Sequence, residues 1–372
     1  MWNRSGLVVG CWLGLLATGT TAADWSRFRG PEGNSVVRGV KLPTAWAEDS
    51  NVAWKVKIPG RGWSQPVVAG DKIFVTTAVA ENEEPPRRFD RGLPKGARKS
   101  TQDVYQWKVI CLSARTGKVL WDDTPYEGKP AQSKHRGNTY ASETPVADRE
   151  RVFVYFGVKG MVCYDHFGNR QWEKKLGGFP TQAGWGTASS PVIYGDSVLI
   201  QCDNQGESFL VALDKKTGDE LWRVNRDERT NWSTPYLWKN KVRTELVVAG
   251  GTKMRSYDPA TGKLLWEMAG SGRTSVSPVG NREMLFVDSV NWFQGSPGRF
   301  AAIRPGASGD ISLQDEKTTT NKFVAWSMMF RSYRNSSPLL YNDCLYLLEQ
   351  SAGIVRCFDA KTGKLHYQKR LP

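Results

Sequence analysis

The sequence predicts an all-β fold built from repeated four-stranded sheets, and three observations support this prediction. The 372 residues include 37 Gly and 19 Pro, and 40% of them are hydrophobic, a composition that suits many short strands joined by turns. Short apolar runs separated by Gly-Asp turns recur along the chain, as in Val192-Ile193 followed by Val198-Leu199-Ile200. A longer pattern, which opens with Pro and ends with an aromatic residue, repeats along most of the sequence.

The long repeat consists of Ser/Thr-Pro, apolar strands separated by a turn, Asp-x-x-Thr-Gly and then Trp. Its clearest copies include Asp214 to Trp222 and Asp258 to Trp266. The copies end near Trp121, Trp172, Trp222, Trp266, Trp326 and Tyr367. They open at Pro66, Pro145, Pro191, Pro235, Pro278 and Pro338. The first four ends are 51, 50 and 44 positions apart, which is the length of one four-stranded blade of a β-propeller.

The residue types of the repeat have a structural explanation that requires no ligand. Asp followed by Thr-Gly forms a tight turn in which Gly takes a positive φ, and the Trp that follows has the flat surface needed to pack between neighbouring blades. Cys111, Cys163 and Cys357 occupy a repeated position that Ala212 and Ser256 share. We therefore predict a column of small buried residues here, not a disulfide framework.

Counting the copies predicts six complete blades of a larger ring with seven or eight. Val52 to Val56, with Trp54 at its centre, resembles the last strand of a further blade whose other strands do not precede it. The sequence reaches Pro372 directly after the sixth copy. The expectation is that C-terminal blades are missing, with a six-bladed ring and a surplus strand as the alternative.

The first 23 residues predict an export signal. Arg4 precedes an apolar stretch from Leu7 to Ala17, and Thr21-Ala22-Ala23 forms a small-residue cleavage site. The mature protein, residues 24–372, is expected in the periplasm or outside the cell, without a transmembrane segment. Lipid attachment at Cys11 is disfavoured, because few apolar residues precede it. The mature chain would keep an odd number of cysteines.

These repeats resemble the PQQ-like (PQQ-binding-like) β-propeller proteins, which include quinoprotein alcohol dehydrogenases and the BamB-type scaffold of outer-membrane assembly. Three segments are similar to a secreted bacterial subgroup: Tyr140 to Pro145, Trp222 to Glu228 and Ile303 to Ser312. The resemblance covers Asp24 to Pro372 and implies eight blades in full-length relatives. It is specific for the fold but not for the activity, because one architecture serves unrelated functions.

Two functions follow from this resemblance. We expect an exported, non-catalytic binding or scaffolding protein of the cell envelope, without a cofactor. The alternative is a quinoprotein dehydrogenase that uses PQQ and Ca²⁺ on alcohols or sugars. The sequence lacks the adjacent cysteines and the Cys-x-x-Cys-His segment of such relatives, and its three His residues have no zinc spacing. No catalytic or metal-binding residue is predicted. The remaining acidic candidates are interpreted as surface or turn residues: Asp165, Asp203, Asp227, Glu228 and Asp288.

Aromatic and Arg residues upstream of the opening Pro residues predict a ligand site at one mouth of the central channel. These candidates are Trp63, Tyr140, Trp185, Trp232, Arg273, Tyr333 and Arg334. They suit a flat or anionic ligand, and the alternative is that they only pack the wall of the channel.

Charge suggests further contacts. The chain has 51 Lys plus Arg against 37 Asp plus Glu, and an insertion from Glu81 to Asp103 carries a basic run. A protein partner or an anionic envelope component therefore fits, although the insertion is also typical of a solvated loop. Nucleic acid is disfavoured for an exported propeller, and the sequence leaves the oligomeric state open.

Overall fold

The computed structural model describes residues 24–80, 102–135, 137–177, 180–270, 272, 275–289, 298–330, 336–349 and 353–371. Within these residues, the strands form six sheets, each with four antiparallel strands in sequential order, and one sheet has a fifth, parallel strand. This confirms the predicted all-β propeller. The first strand of each sheet is the innermost, since first strands of neighbouring blades contact each other. Two single 3₁₀ turns, Gly157–Lys159 and Gln182–Gly184, are also present.

The strands of the first three blades follow the first three repeats. Blade 1 contains β1 (Val67–Ala69), β2 (Lys72–Val79), β3 (Tyr105–Ser113) and β4 (Val119–Gly128). Blade 2 contains β5 (Val146–Ala147), β6 (Arg151–Tyr155), β7 (Met161–Asp165) and β8 (Arg170–Lys174). Blade 3 contains β9 (Val192–Tyr194), β10 (Ser197–Cys202), β11 (Ser208–Asp214) and β12 (Glu220–Arg226).

The last three blades include the stretched fifth repeat. Blade 4 contains β13 (Tyr236–Lys239), β14 (Thr244–Ala249), β15 (Lys253–Tyr257) and β16 (Leu264–Ala269). Blade 5 contains β17 (Val279–Gly280), β18 (Leu285–Ser289), β19 (Gly298–Ile303) and β21 (Val324–Phe330). Blade 6 contains β22 (Leu339–Tyr341), β23 (Cys344–Glu349), β24 (Ile354–Asp359) and β25 (Leu365–Arg370). The short β20 (Gly309–Asp310) pairs in parallel with β16, so the fifth repeat extends blade 4.

The column of small residues lies directly opposite the repeat-ending aromatic residues. Cys111 pairs with Trp121, and Cys163 pairs with Trp172. A register shift follows the small residue in every blade. Cys111, Cys163 and Cys357 are buried, as predicted. A small residue at this position leaves room for the indole across the strand pair.

Four repeat-ending Trp residues and Trp54 each pack against the Gly of a turn in the neighbouring blade. A Cβ atom on Gly218 would lie 2.7 Å from the Trp172 ring, and Gly218 has a φ of +76°. We call each contact of a Trp ring with a turn Gly of the neighbouring blade a joint. The joints are Trp54 on Gly117, Trp121 on Gly168, Trp172 on Gly218, Trp222 on Gly262 and Trp326 on Gly363. Glycine is therefore required for both its backbone conformation and its lack of a side chain.

Trp54 fills the joint position without the strand that the sequence predicts. Residues 52 to 56 form no β-ladder, so the interpretation of Val52 to Val56 as a strand is wrong. Trp54 nevertheless packs against Gly117 and donates its indole N–H to the Ala114 carbonyl at 3.0 Å. The packing of one side chain, not strand pairing, holds this segment against blade 1.

A series of hydrogen bonds links the six blades through the residue before each opening Pro. The Thr144 amide donates to the Ser190 hydroxyl at 3.0 Å, and the Ser190 amide donates to the Thr234 hydroxyl at 3.1 Å. Equivalent bonds join Gln65 to Thr144, Thr234 to Ser277 and Ser277 to Ser337. The Ser/Thr that precedes Pro therefore satisfies a backbone donor of the preceding blade.

Residues 24–38, here called the N-terminal segment, run along the innermost strands. The Val68 and Ala147 amides donate to the Trp25 and Ser26 carbonyls. The Arg29 amide donates to Gln65 Oε1 at 2.8 Å, and its guanidinium donates to the Pro338 carbonyl. One short segment thus connects blades 1, 2 and 6 at the centre of the propeller.

Candidate binding site on the loop face

The propeller has two ends, which differ in how the chain reaches the innermost strands. We call the end formed by the loops before these strands the loop face, and the end formed by the turns after them the turn face. Four predicted mouth residues are described, all in loop-face segments: Trp63, Tyr140, Trp185 and Trp232. Arg273, Tyr333 and Arg334 lie outside the described residues.

Two of the predicted residues form an aromatic pair. The Trp185 and Trp232 rings are stacked, with centroids 5.9 Å apart and planes inclined by 27°. The Trp232 indole N–H donates to the Gly186 carbonyl at 2.8 Å, which ties the loop before blade 4 to the loop before blade 3. The His135 ring meets Trp185 edge-on at 5.4 Å. Both indoles are half-buried, so each keeps some exposed surface.

The other two described candidates do not join this pair. Tyr140 packs edge-on against Tyr105 at 4.8 Å, and its hydroxyl donates to the Gln132 carbonyl at 2.9 Å. Trp63 is 57% exposed and donates its indole N–H to the Gly137 carbonyl at 2.9 Å. Tyr140 therefore packs against Tyr105 of blade 1, whereas Trp63 is an exposed side chain on the loop before blade 1.

A small polar cavity is built from the same loops as the tryptophan pair. Its volume is about 20 Å³, enough for one water-sized group. Its lining includes Thr187, Ser189, Gln201 and Asn231. Ser189 Oγ and Gln201 Oε1 are buried and have no hydrogen-bond partner. The Gln201 amide is fixed, because its Nε2 donates to Asp203 and to the Ala249 carbonyl, each at 2.7 Å.

Glu143 lies beside this cavity and has a perturbed pKa. Its side chain is buried, and its Oε1 has no hydrogen-bond partner. Burial raises the pKa of Glu143 to about 7, although the neighbouring Thr187 hydroxyl, which can donate to the carboxylate, opposes the shift. The neighbouring ionisable groups are Tyr155 and Cys202, whose pKa values burial also raises. Glu143 can therefore exchange a proton near neutral pH.

Glu143 was not among the residues predicted for the site, although its position in the repeat distinguishes it. Two positions before the opening Pro, the six repeats have Ser64, Glu143, Ser189, Ser233, Val276 and Ser336. A carboxylate thus stands in a column made mostly of Ser. Residues that depart from a structural column are candidates for a function that the column itself does not explain.

Three acidic residues were wrongly interpreted as surface or turn residues. Asp203, Glu228 and Asp288 are buried. Asp203 accepts two bonds from the Arg226 guanidinium, at 2.8 and 3.1 Å. Glu228 is bonded to the Arg255 guanidinium and accepts from the Thr252 amide. Buried charges of this kind need partners, and sequence spacing could not show that β12 and β15 supply them.

For the other two acidic residues the interpretation is confirmed. Asp165 accepts from the Phe167 and Asn169 amides, as a turn residue does. Asp227 is exposed.

Comparison with known proteins assigns the chain to a family. The family described as outer membrane protein assembly factor BamB matches residues 101–244 and 206–372. The chain belongs to this family of PQQ-like propellers. In the described part of this BamB-family chain, no helix has the length and hydropathy that crossing a membrane requires.

Solved structures with the same fold include two dehydrogenases. A europium-containing methanol dehydrogenase is 12% identical, with a TM-score of 0.52 over 86% of this chain and 80% of that one. The quinohemoprotein alcohol dehydrogenase of Comamonas testosteroni is 14% identical, with a TM-score of 0.56 over 95% and 74%. BamB of Moraxella catarrhalis is 16% identical, with a TM-score of 0.49 over 74% of each chain.

A curated relative is the tetrathionate hydrolase of Acidithiobacillus ferrooxidans. It is 20% identical over 304 residues, which are 73% of this chain and 55% of the relative. The BamB-family chain therefore spans about half the length of that curated relative.

The buried acidic residues that are described in this BamB-family chain do not fit a calcium-quinone centre. Calcium takes six to eight oxygen ligands from carboxylates, carbonyls and waters. No group of three or more His, Cys, Asp or Glu with metal-binding geometry occurs among the described residues. Arginine residues pair with Asp203 and Glu228, and only one described carboxylate, Glu143, has a buried oxygen without a partner.

Proposed function

We propose that this protein is an exported, non-catalytic propeller of the cell envelope that binds a ligand or partner at its loop face. The observation that carries the proposal is the stacked pair of Trp185 and Trp232 on the loops that also form the polar cavity. Aromatic surface beside a few fixed polar groups is the usual composition of a binding site.

The polar groups restrict the chemistry of the bound molecule. Gln201 Oε1 only accepts hydrogen bonds, and Ser189 Oγ can donate or accept. An unpaired buried acceptor costs free energy until a donor reaches it. The expected ligand therefore inserts a small donor group, such as a hydroxyl or an amine, and places a flat or apolar part against the indoles.

A binding function is favoured over a dehydrogenase activity because buried carboxylates of this protein are paired with arginine. Ion pairs with arginine occupy Asp203 and Glu228, so their carboxylate oxygens already accept hydrogen bonds and are not free to bind a cation. Likeness to the two dehydrogenases concerns the fold alone, because one fold hosts many chemistries.

Envelope location is part of this proposal. The matching family takes its description from an outer membrane assembly factor, and residues 1–23 have the composition of an export signal. Expression in a Gram-negative host, followed by mass spectrometry of the periplasmic fraction, tests it. A mature N-terminus at Asp24 is expected, and an intact Met1 in the cytoplasmic fraction would contradict export.

The binding site is tested with a double variant and a matched control. A panel of sugars, peptides and PQQ with Ca²⁺ is screened by thermal shift, and the strongest binder is measured by calorimetry. The W185A/W232A variant is expected to bind at least tenfold more weakly, a loss of about 1.4 kcal/mol or more of binding free energy from the aromatic contacts. F167A is the control, because Phe167 is 81% exposed on a turn of blade 2.

Two outcomes oppose the proposal. If W185A/W232A binds as tightly as the wild type while folded, the aromatic pair is not the site. If the wild-type protein with PQQ and Ca²⁺ reduces a dye in the presence of an alcohol or a sugar, the protein is an enzyme.

A further inference from the structure

A second, larger cavity lies on the turn face, between the N-terminal segment and blades 4 to 6. Its volume is about 510 Å³, within the range of small-molecule sites. The N-terminal segment contributes Arg27 and Arg38, and blade 4 contributes Lys239 at the end of β13. Arg282, on the turn of blade 5, and Asp343, on the turn of blade 6, complete the charged rim. This turn-face cavity is separate from the loop-face site, which lies before the innermost strands.

The lining of the turn-face cavity has an excess of positive charge. Four cationic residues line it, and the acidic residues of its lining are Glu32 and Asp343. Within the described ranges, no ion pair involves Arg27, Arg38, Lys239 or Arg282.

The cations of the N-terminal segment are held by other contacts. The Arg27 guanidinium donates to the Gly30 and Pro31 carbonyls, and Arg38 lies over the Tyr341 ring at 5.7 Å. These contacts orient the two cations, and Glu32, an acidic residue of the same lining, attracts Arg27.

Arg29 adds a buried positive charge on the same segment. Its side chain is 94% buried, since only 6% is exposed, and its Nη1 has no hydrogen-bond partner. Burial lowers the pKa of Arg29 to about 10, and Tyr236, a residue of the cavity lining, is the nearby group that opposes this shift. Burial likewise lowers the pKa of Arg27. A desolvated cation without a counter-ion is costly, and a nearby anion would offset that cost.

We propose that the turn-face cavity binds an oxyanion of the phosphate or carboxylate class. Guanidinium groups match such anions because their N–H donors lie in a planar fork that two oxygens can accept from. The cavity is also large enough for an organic molecule that carries the oxyanion. The site joins the N-terminal segment to blades 4, 5 and 6, so its occupancy stabilises this arrangement by mass action.

Calorimetry with inorganic phosphate and pyrophosphate tests the site on the intact protein. The site variant is R38A/K239A/R282A, which leaves the half-buried Arg27 and the buried Arg29 in place. The control is R115A/K118A/K263A, which removes three exposed cations from the Thr-Gly turns of blades 1 and 4. Both variants lose the same net charge. The site variant is expected to bind pyrophosphate at least tenfold more weakly, and the control within twofold of the wild type.

Vesicles distinguish the two sources of such an anion. Binding to phosphatidylglycerol vesicles but not to phosphatidylcholine vesicles, lost only in the site variant, identifies a lipid headgroup as the natural source. Binding of soluble pyrophosphate without vesicle binding identifies a soluble oxyanion. The proposal is overturned if the two triple variants lose affinity equally, or if the wild type binds neither probe. A melting temperature within a few degrees of the wild type shows that each variant is folded.

Discussion

Tryptophan occurs in two environments in this propeller, at the joints between blades and in the stacked pair on the loop face. Trp326 is 7% exposed, packs against Gly363 and donates its indole N–H to the Ala360 carbonyl at 3.1 Å. Trp185 and Trp232 stack on each other and are half-buried. Packing on a turn Gly and an indole N–H bond to a carbonyl recur at Trp121 and Trp172, which are half-buried. Stacking of two indoles on each other joins two particular loops.

The contrast teaches that position within the repeat indicates the role of a side chain better than residue type does. The Ser column shows the same principle, because Glu143 replaces Ser where Ser64, Ser189 and Ser233 keep it. The residues directly before the opening Pro, such as Thr144 and Ser190, link the blades. The candidate site combines one column residue without a hydrogen-bond partner, Ser189, with residues outside the columns.

The largest expected effect separates the two classes of tryptophan. Trp326→Ala removes a buried indole that packs against Phe286 and Phe300 and should lower the free energy of unfolding by about 3–5 kcal/mol. Trp232→Ala should lower it by about 1 kcal/mol, because its indole is half-buried and stacks on one partner. Urea unfolding followed by circular dichroism measures both. Equal losses would mean that the loop-face pair is as structural as the joints.

The next largest expected effect is a dependence of folding stability on pH that arises from Glu143. Folding raises its pKa from the ordinary 4.5 to about 7, so the folded state binds the proton more tightly than the unfolded state does. The contribution to stability is complete below pH 4.5 and is lost as the pH rises to about 7, a change of about 3 kcal/mol. Glu143→Gln removes this dependence.

Urea unfolding at pH 5 and pH 8 checks this prediction. The Glu143→Gln variant should gain stability over the wild type at pH 8 relative to pH 5, whereas Glu150→Gln, an exposed control on blade 2, should show no such gain. A difference between wild type and Glu143→Gln that does not change with pH would contradict the burial of an ionisable carboxyl here.

The smallest expected effect is the loss of stability when one joint is disturbed, measured against a substitution in the same blade. Gly218 and Gly195 both have positive φ, but a Cβ on Gly218 would meet the Trp172 ring, and a Cβ on Gly195 would meet nothing within 4 Å. Gly195→Ala should cost about 1 kcal/mol from backbone strain. Gly218→Ala should cost about 1–3 kcal/mol more, because the ring must shift. Indistinguishable melting temperatures would show that the joint is loosely packed.

The repeat itself made much of the fold predictable. The turn residues, the opening Pro and the closing Trp recur at blade spacing, and six four-stranded sheets appear where the copies lie. The strand proposed around Trp54 was wrong, since a Trp between apolar residues has the same pattern whether the backbone pairs or only the indole packs. Local pattern does not distinguish these two cases.

The candidate site was only partly predictable. Aromatic residues before the opening Pro residues indicated the loop face, but the stacking of Trp185 on Trp232 depends on the spacing of two loops from different blades. The burial of Asp203 and Glu228 depends on arginines that lie 23 and 27 positions away. A periodic pattern of residues within one strand does not show contacts between positions that far apart in the sequence.

By itself, the sequence determined an all-β propeller of the PQQ-like type and the structural columns of Trp, Gly, Ser and small residues, because each blade repeats the same local chemistry. Only the tertiary structure decided which residues outside those columns meet. It brought together the two loops that carry the tryptophan pair and that also contribute Ser189 and Asn231 to the small cavity. It also brought the N-terminal segment against blades 4 to 6 to form a basic cavity. Such contacts join residues far apart in the chain, so they depend on how the blades are arranged around the channel.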